Sequence, residues 1–245
     1  MSSAHVAVDL DDTDGLLEAD RDGLLRSAAT AGAQVRATAA AVEEGACEFL
    51  ASDQRPRTVI WLAGRGPAES AGAMLAASLG PAAVEPIVTA AQVPPWIGPL
   101  DVLVIAGDDP GDPVLVSAAA TAVRRGARVV VAAPFEGPLR DATAGRATVL
   151  APRLPVPDEF GLSRYLAAGL AAFGAVDPAL RTDLGALADE LDAEALRNSA
   201  VREVFTNPAK ALAERIAGRQ TVLAGDGPAT LALARHAGAV LLRVG

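Results

Sequence analysis

Residues 58–63 (TVIWLA), 101–106 (DVLVIA) and 127–133 (ARVVVAA) are apolar almost without a break, and the first two run straight into loops of glycine, aspartate and proline. A strand with one wet face alternates apolar and polar residues. A strand covered on both faces need not, so these runs read as strands of a parallel sheet buried under helices. Residues 85–91 (EPIVTAA) are a further strand candidate and 147–150 (ATVL) a weaker one, with helical stretches at 68–79 and 113–126 between. Strand, glycine-rich loop, helix, strand recurs, and that order specifies an α/β, doubly wound parallel sheet flanked by helices.

Composition sets the outer limits. Of 245 residues, 51% are apolar and 21% charged, enough for a core and against extended disorder. A formal net charge of −9 argues against duplex DNA or an anionic membrane as a partner, and aromatics at 3% are too few to stack bases. Cys47 is the sole cysteine and His5 and His236 the sole histidines, so a disulfide, a Cys cluster and a His-rich metal site are excluded; no metal or cofactor is expected. No uncharged run of 18 residues occurs, and the N-terminus MSSAHVAVDLDD lacks a basic-then-apolar leader, so a cytoplasmic protein is expected.

Along the chain, 1–57 is an acidic segment with helical spacing at 15–29 and 34–50, 58–155 is the α/β unit, and 156–218 is a helical connector with helices at 158–176 and 178–198. The heptad LAGRGPA at 62–68 returns as LAGDGPA at 223–229. Each follows a short apolar run and precedes an alanine-rich helix, so a second unit of strand, helix and strand is expected over 219–245, with 240–244 as its last strand. A unit that short cannot bury a core alone, which makes it the start of a larger domain.

Two loops are candidates for binding chemistry. Gly64, Arg65, Gly66, Ala68, Glu69 and Ser70 stand where the first strand hands over to a helix. Glycine there lets an anion approach the backbone, and Pro67 suits the first helical position. The same glycines can serve only to make a tight turn. A dinucleotide fingerprint would need glycine where Glu69 stands and an acid ending the second strand, whereas Glu85 begins it. Gly107, Asp108 and Asp109 lie in the loop after 101–106, at the crevice end of such a sheet. With Asp112 these carboxylates repel phosphate; they suit a cation, or ordinary turn and cap chemistry.

Elsewhere the signals are thinner. Residues 6–15 (VAVDLDDTDG) fail as an EF-hand loop, because Leu10 takes the first ligand position. Read as an aspartate-nucleophile phosphatase motif with Asp9 and Asp11, with Asp226 as a late metal ligand, they lack the lysine that chemistry requires. Asn207-Pro208-Ala209-Lys210 reads as a capped helix start, and Lys210 is the only lysine. Glu203 just upstream is a candidate catalytic carboxylate, although a lone acid there is more often on the surface. His236 reads as structural or surface, and no Ser-His-Asp or Cys-His set can be assembled.

These segments together resemble the sugar isomerase (SIS) domain family. The likeness is carried by 58–79, 101–126, the helical connector and the run NPAKALAERIAGRQTVLAGDG. It is nearest to the two-domain bifunctional phosphoglucose/phosphomannose isomerases and to TobH-like SIS proteins. The resemblance implies a flavodoxin-like sheet, the start of a second, truncated SIS domain, a small-molecule sugar phosphate as ligand and a homodimer. The departures are specific. The family's first loop resembles Gly-Met-Gly-Gly-Ser-Gly, but Pro67, Ala68 and Glu69 stand at its last glycine, serine and glycine. Its second loop resembles Ser-Tyr-Ser-Gly-Asn-Thr-Glu, of which only Asp112 keeps the charge. A catalytic arginine is implied near the start of the helix in VPDEFGLSRYL. Glu159 aligns there, with Arg153 and Arg164 close by, so Arg164 is carried as a candidate. The family's catalytic glutamate and histidine would fall beyond Gly245. The resemblance implies a degenerate phosphosugar isomerase-like protein that binds a sugar phosphate. The alternatives are an active aldose–ketose isomerase completed by a further domain or subunit, and a non-catalytic dimerisation module.

Overall fold

The computed structural model describes residues 8–52 and 54–244. Its five strands are Thr58–Ala63 (β1), Ile87–Ala90 (β2), Asp101–Ala106 (β3), Arg128–Ala132 (β4) and Ala147–Val149 (β5). They form one sheet in the order β2-β1-β3-β4-β5, with every neighbouring pair parallel. Helices Thr13–Ala19 (α1), Leu24–Ala28 (α2) and Ala31–Glu43 (α3) precede it. Pro67–Leu79 (α4), Pro113–Arg124 (α5) and Gly137–Thr143 (α6) make the crossovers. Leu162–Val176 (α7), Leu184–Arg197 (α8), Pro208–Ile216 (α9) and Pro228–Val244 (α10) follow.

Burial on both faces explains the unbroken apolar runs. Every residue of β3 is buried. Val59, Trp61, Val102 and Val104 face a core shared with Ala71 and Leu75 of α4 and Tyr165, Ala168 and Phe173 of α7. Ile60, Leu62, Leu103 and Ile105 face the opposite core, under Leu115 and Ala119 of α5 and Leu139 of α6. Small residues set how closely the helices approach. A Cβ on Gly72 would meet Trp61 Cδ1 at 2.2 Å, and one on Gly169 would meet Leu75 Cδ1 at 2.2 Å. A smaller apolar cluster of Val35, Ala167, Leu184 and Ala188 joins α3 and α8 to the outer side of α7.

Several local expectations are revised. The helix expected over 15–29 is broken into α1 and α2 at Asp20–Gly23, where Gly23 has φ +66°. That expected over 34–50 ends at Glu43, followed by Gly45 at φ +90° and a single 3-10 turn, Glu48–Leu50. The helix of 178–198 is held to Leu184–Arg197 by the Asp183 cap. The expected strands at 219–245 do not form among the described residues: 218–227 carry no strand and 240–244 are the last turn of α10. A strand requires a neighbour to satisfy its backbone. Here Val222, 88% exposed, has none. The repeat survives only as a shared Gly-Pro helix start, and its two helices, α4 and α10, pack on each other.

Candidate functional site

Strand order places the two glycine loops. In a 2-1-3-4-5 sheet the crossovers from β1 and β3 leave in opposite directions, and the crevice opens between the carboxyl ends of those two strands. The Gly64 N–H donates to the Ala106 carbonyl at 2.9 Å, and a Cβ on Gly64 would lie 3.9 Å from the Gly107 Cα. Gly64–Ser70 and Gly107–Asp109 therefore flank one crevice, as the sheet-end reading requires.

The β1 loop is shaped for close approach. Gly66, at φ +89°, starts α4 without a side-chain cap, and Pro67 takes the first helical position. Gly64, Arg65 and Glu69 line a cavity of about 410 Å³ with Thr89 and Ala90 at the end of β2. Arg65 and Glu69 are exposed and in no ion pair among the described residues. Ala68 is buried against the sheet, so only its backbone can face a ligand, and its carbonyl accepts from the Trp61 indole at 2.9 Å.

The β3 loop divides its carboxylates by task. Asp109 accepts from the Gly111 N–H at 2.7 Å, and Asp112 caps α5 by accepting from the Val114 N–H at 2.7 Å. These two do turn and cap work, the plainer of the two sequence readings. Asp108 does not: its Oδ1 accepts from Arg164 Nη2 and from the Tyr165 hydroxyl, both on the first turn of α7. Arg164 Nη2 also donates to the Tyr165 hydroxyl at 2.8 Å, and its guanidinium lies 4.7 Å from the Tyr165 ring centroid. Burial pushes the Tyr165 phenol up to about 12, the nearby Arg164 charge opposing that rise and Asp158 adding to it.

Arg164 thus reaches the β3 loop, whereas Glu203 makes no side-chain bond among the described residues. Glu203 is exposed, and its neighbour Val204 is tied to the N-terminal segment through Asp11. Glu159, aligned with the expected arginine, pairs with Arg243 of α10 at 3.3 Å, and Arg153 pairs with Glu44. Sequence reasoning passed over Gln34 and Tyr165. Gln34 sits on α3 and reaches Phe160, 126 positions on, a link no local pattern records. Tyr165 is the only tyrosine in the chain and adjoins Arg164, which was the available signal. Lys210, the lone lysine, is buried with Nζ donating to the Ala200 and Arg202 carbonyls, and Asn207 caps its helix. The NPAK motif therefore closes a loop. Among the described residues, no three His, Cys, Asp or Glu side chains are grouped to hold a metal ion, and no helix is long and apolar enough to cross a membrane.

No family model and no curated protein matches the sequence. Solved structures do match the fold. A candidate phosphosugar isomerase from Silicibacter pomeroyi superimposes with a TM-score of 0.55 at 19% identity, over 71% of this chain and 57% of that one. The chain shares the fold of that structure, an α/β parallel sheet flanked by helices. Candidate phosphosugar isomerases from Bacillus subtilis (TM-score 0.47, 16% identity, 69% of this chain) and Clostridium difficile 630 (TM-score 0.47, 11% identity, 70% of this chain) are more distant. The chain spans 57%, 52% and 50% of the lengths of these three structures.

Proposed function

We propose that this SIS-type domain binds a sugar phosphate at the loop that follows β1, in the cavity toward β2 that adjoins the β1–β3 crevice, and does not itself isomerise it. The observation that carries the reading is the Gly64 to Ala106 backbone bond, which holds the two glycine loops side by side at the carboxyl end of the sheet. Beside it the cavity of about 410 Å³ is of the size that takes a small metabolite. Arg65 and the start of α4 are the groups for the phosphate, and Glu69 and Thr89 for sugar hydroxyls. Aldose–ketose conversion needs a positioned base and acid. In the β3 loop Asp109 and Asp112 are committed to backbone N–H groups and Asp108 to Arg164 and Tyr165, which supports binding without turnover. The proposal extends to a homodimer in the cytoplasm, with the SIS-like unit at 58–155 and the helical connector at 156–218.

Thermal unfolding of the full chain with glucose 6-phosphate, mannose 6-phosphate and the unphosphorylated sugars tests this. A phosphate-dependent rise of roughly 3–5 °C at about tenfold Kd is expected. A melting temperature unmoved by every sugar phosphate at millimolar concentration would sink the reading. Conversion of glucose 6-phosphate to fructose 6-phosphate by the same sample would replace it with the active-isomerase alternative.

A further inference from the structure

Asp108 is the one β3-loop carboxylate that its own turn does not use, and it satisfies Arg164 only in part. It engages Nη2, while the Nε–H of the same guanidinium is buried without an acceptor. An arginine presents Nε and Nη2 as parallel donors suited to two oxygens of one anion. The glycine at 161 keeps a side chain off that edge. A Cβ there would lie 3.3 Å from Arg164 Nε and 3.4 Å from its Cζ, although at φ −76° the backbone itself would accept any residue.

A second observation comes from the opposite wall. Arg164 and Tyr165 line a cavity of about 20 Å³ with Gln34 of α3, room for a water molecule. Gln34 is 2% exposed, and its Nε2 is committed to Thr30 Oγ1 and the Phe160 carbonyl, each at 3.1 Å. Its Oε1 is left buried with no donor. The residues that carry the unused donor and the unused acceptor, Arg164 and Gln34, thus line the same small cavity. Buried polar atoms are rarely left so, and those that are call for a partner.

We infer that Arg164, Tyr165 and Gln34 form an oxyanion seat at the start of α7, and that the Asp108 carboxylate occupies it in place of a phosphate group. A tetrahedral oxyanion would accept from Arg164 Nε and Nη2 together and from the Tyr165 hydroxyl. The phosphate hydroxyl, or a water held by it, would donate to Gln34 Oε1. The seat shares no lining residue with the cavity around Arg65, so it goes beyond the sugar-phosphate reading and does not depend on it. Tethering gives Asp108 a high local concentration, which keeps a free anion out of the intact chain.

The test is titration of the full chain with inorganic phosphate at low ionic strength, followed by calorimetry and phosphorus NMR. Asp108→Ala is expected to bind phosphate roughly tenfold or more tightly than the unaltered chain, since the tethered competitor is gone. Asp108→Ala combined with Arg164→Gln is expected to lose the gain, and Asp109→Ala to show none. Asp108→Asn, which keeps the side-chain volume, serves in its place if the alanine variant does not fold, with a smaller gain in the same direction. A folded Asp108 variant that binds phosphate no better than the unaltered chain overturns the inference, as does a gain that survives Arg164→Gln. Inorganic phosphate and the variants report on this seat, whereas sugar phosphates with the unaltered chain report on the proposed function, so each can fail without the other.

Discussion

The Trp61 indole Nε1–H donates to the Ala68 carbonyl, 2.9 Å away, and so fastens the first turn of α4 onto the strand it has just left. The same ring stacks edge-on against Phe173 of α7 at 6.3 Å, so one side chain sets the distance of two helices from the sheet. Gly72 completes the arrangement by leaving room for the indole, to which a Cβ would approach within 2.2 Å at Cδ1 and 2.5 Å at Nε1.

Gly72→Ala therefore sets two effects against each other. Alanine gains about 1 kcal/mol of helix propensity over glycine. Overpacking a ring already held by a hydrogen bond costs roughly 1–3 kcal/mol, and a 2.2 Å approach is at the severe end. The net expectation is a loss of about 1–2 kcal/mol, seen as a lower urea midpoint. A midpoint above that of the unaltered chain would show that α4 can lift from β1 at little cost.

Asp101 begins β3 fully buried and holds Arg57 by two bonds, from Nη2 at 2.7 Å and Nε at 3.1 Å, and the Gly98 N–H at 2.8 Å. Arg57 is half exposed and also lies over the Trp96 ring, 5.2 Å from its centroid. Asp101→Ala leaves the Gly98 donor without its acceptor and Arg57 with only the Trp96 carbonyl, and is expected to cost roughly 3 kcal/mol. Arg57→Ala should cost less, about 1–2 kcal/mol, because water reaches that side of the pair. Denaturant unfolding of both variants checks the order.

Lys210 contributes through geometry, with its ammonium between the carbonyls of Ala200 and Arg202, 2.7 Å from each. Lys210→Met keeps the stem and removes two charge-assisted bonds, for an expected loss of roughly 2–3 kcal/mol. Amide hydrogen exchange should quicken in residues 199–207 while the sheet amides stay protected. Unchanged exchange in that loop would mean the clamp is dispensable.

Tyr165 offers a clean optical probe, since the chain has no other tyrosine. Its phenol is pushed up to about 12, chiefly by burial, while an unfolded phenol ionises near 10. The folded state therefore binds the proton more tightly. The corresponding stability is fully present below pH 10 and is lost as pH rises from about 10 towards about 12. Phenolate absorbance should appear near the higher value in the native chain and near the lower one in denaturant. A native midpoint near 10 would mean that water reaches the hydroxyl beside Asp108.

Part of the site is readable in one dimension because it is local. Gly64–Ser70 and Gly107–Asp109 each follow an apolar strand directly, so the strands that deliver them also mark them, and Asp112 reveals its cap role by preceding Pro113. Arg164 and Asp108 are 56 positions apart and belong to no shared pattern. What brings them together is the passage of α7 across the carboxyl end of β3.

The chain's own order of residues determined the parallel sheet and its helices, because a strand covered on both faces must be apolar at every position, and that leaves its imprint wherever the chain lies. It also determined where the loops fall. Tertiary packing alone decided which loop carboxylate meets a cation and which serves a turn, because a contact across the fold imposes no periodicity on either partner. It decided as well that 228–244 is one helix lying on α4, and that the apolar run at 221–224 has no strand beside it among the described residues to bond its backbone.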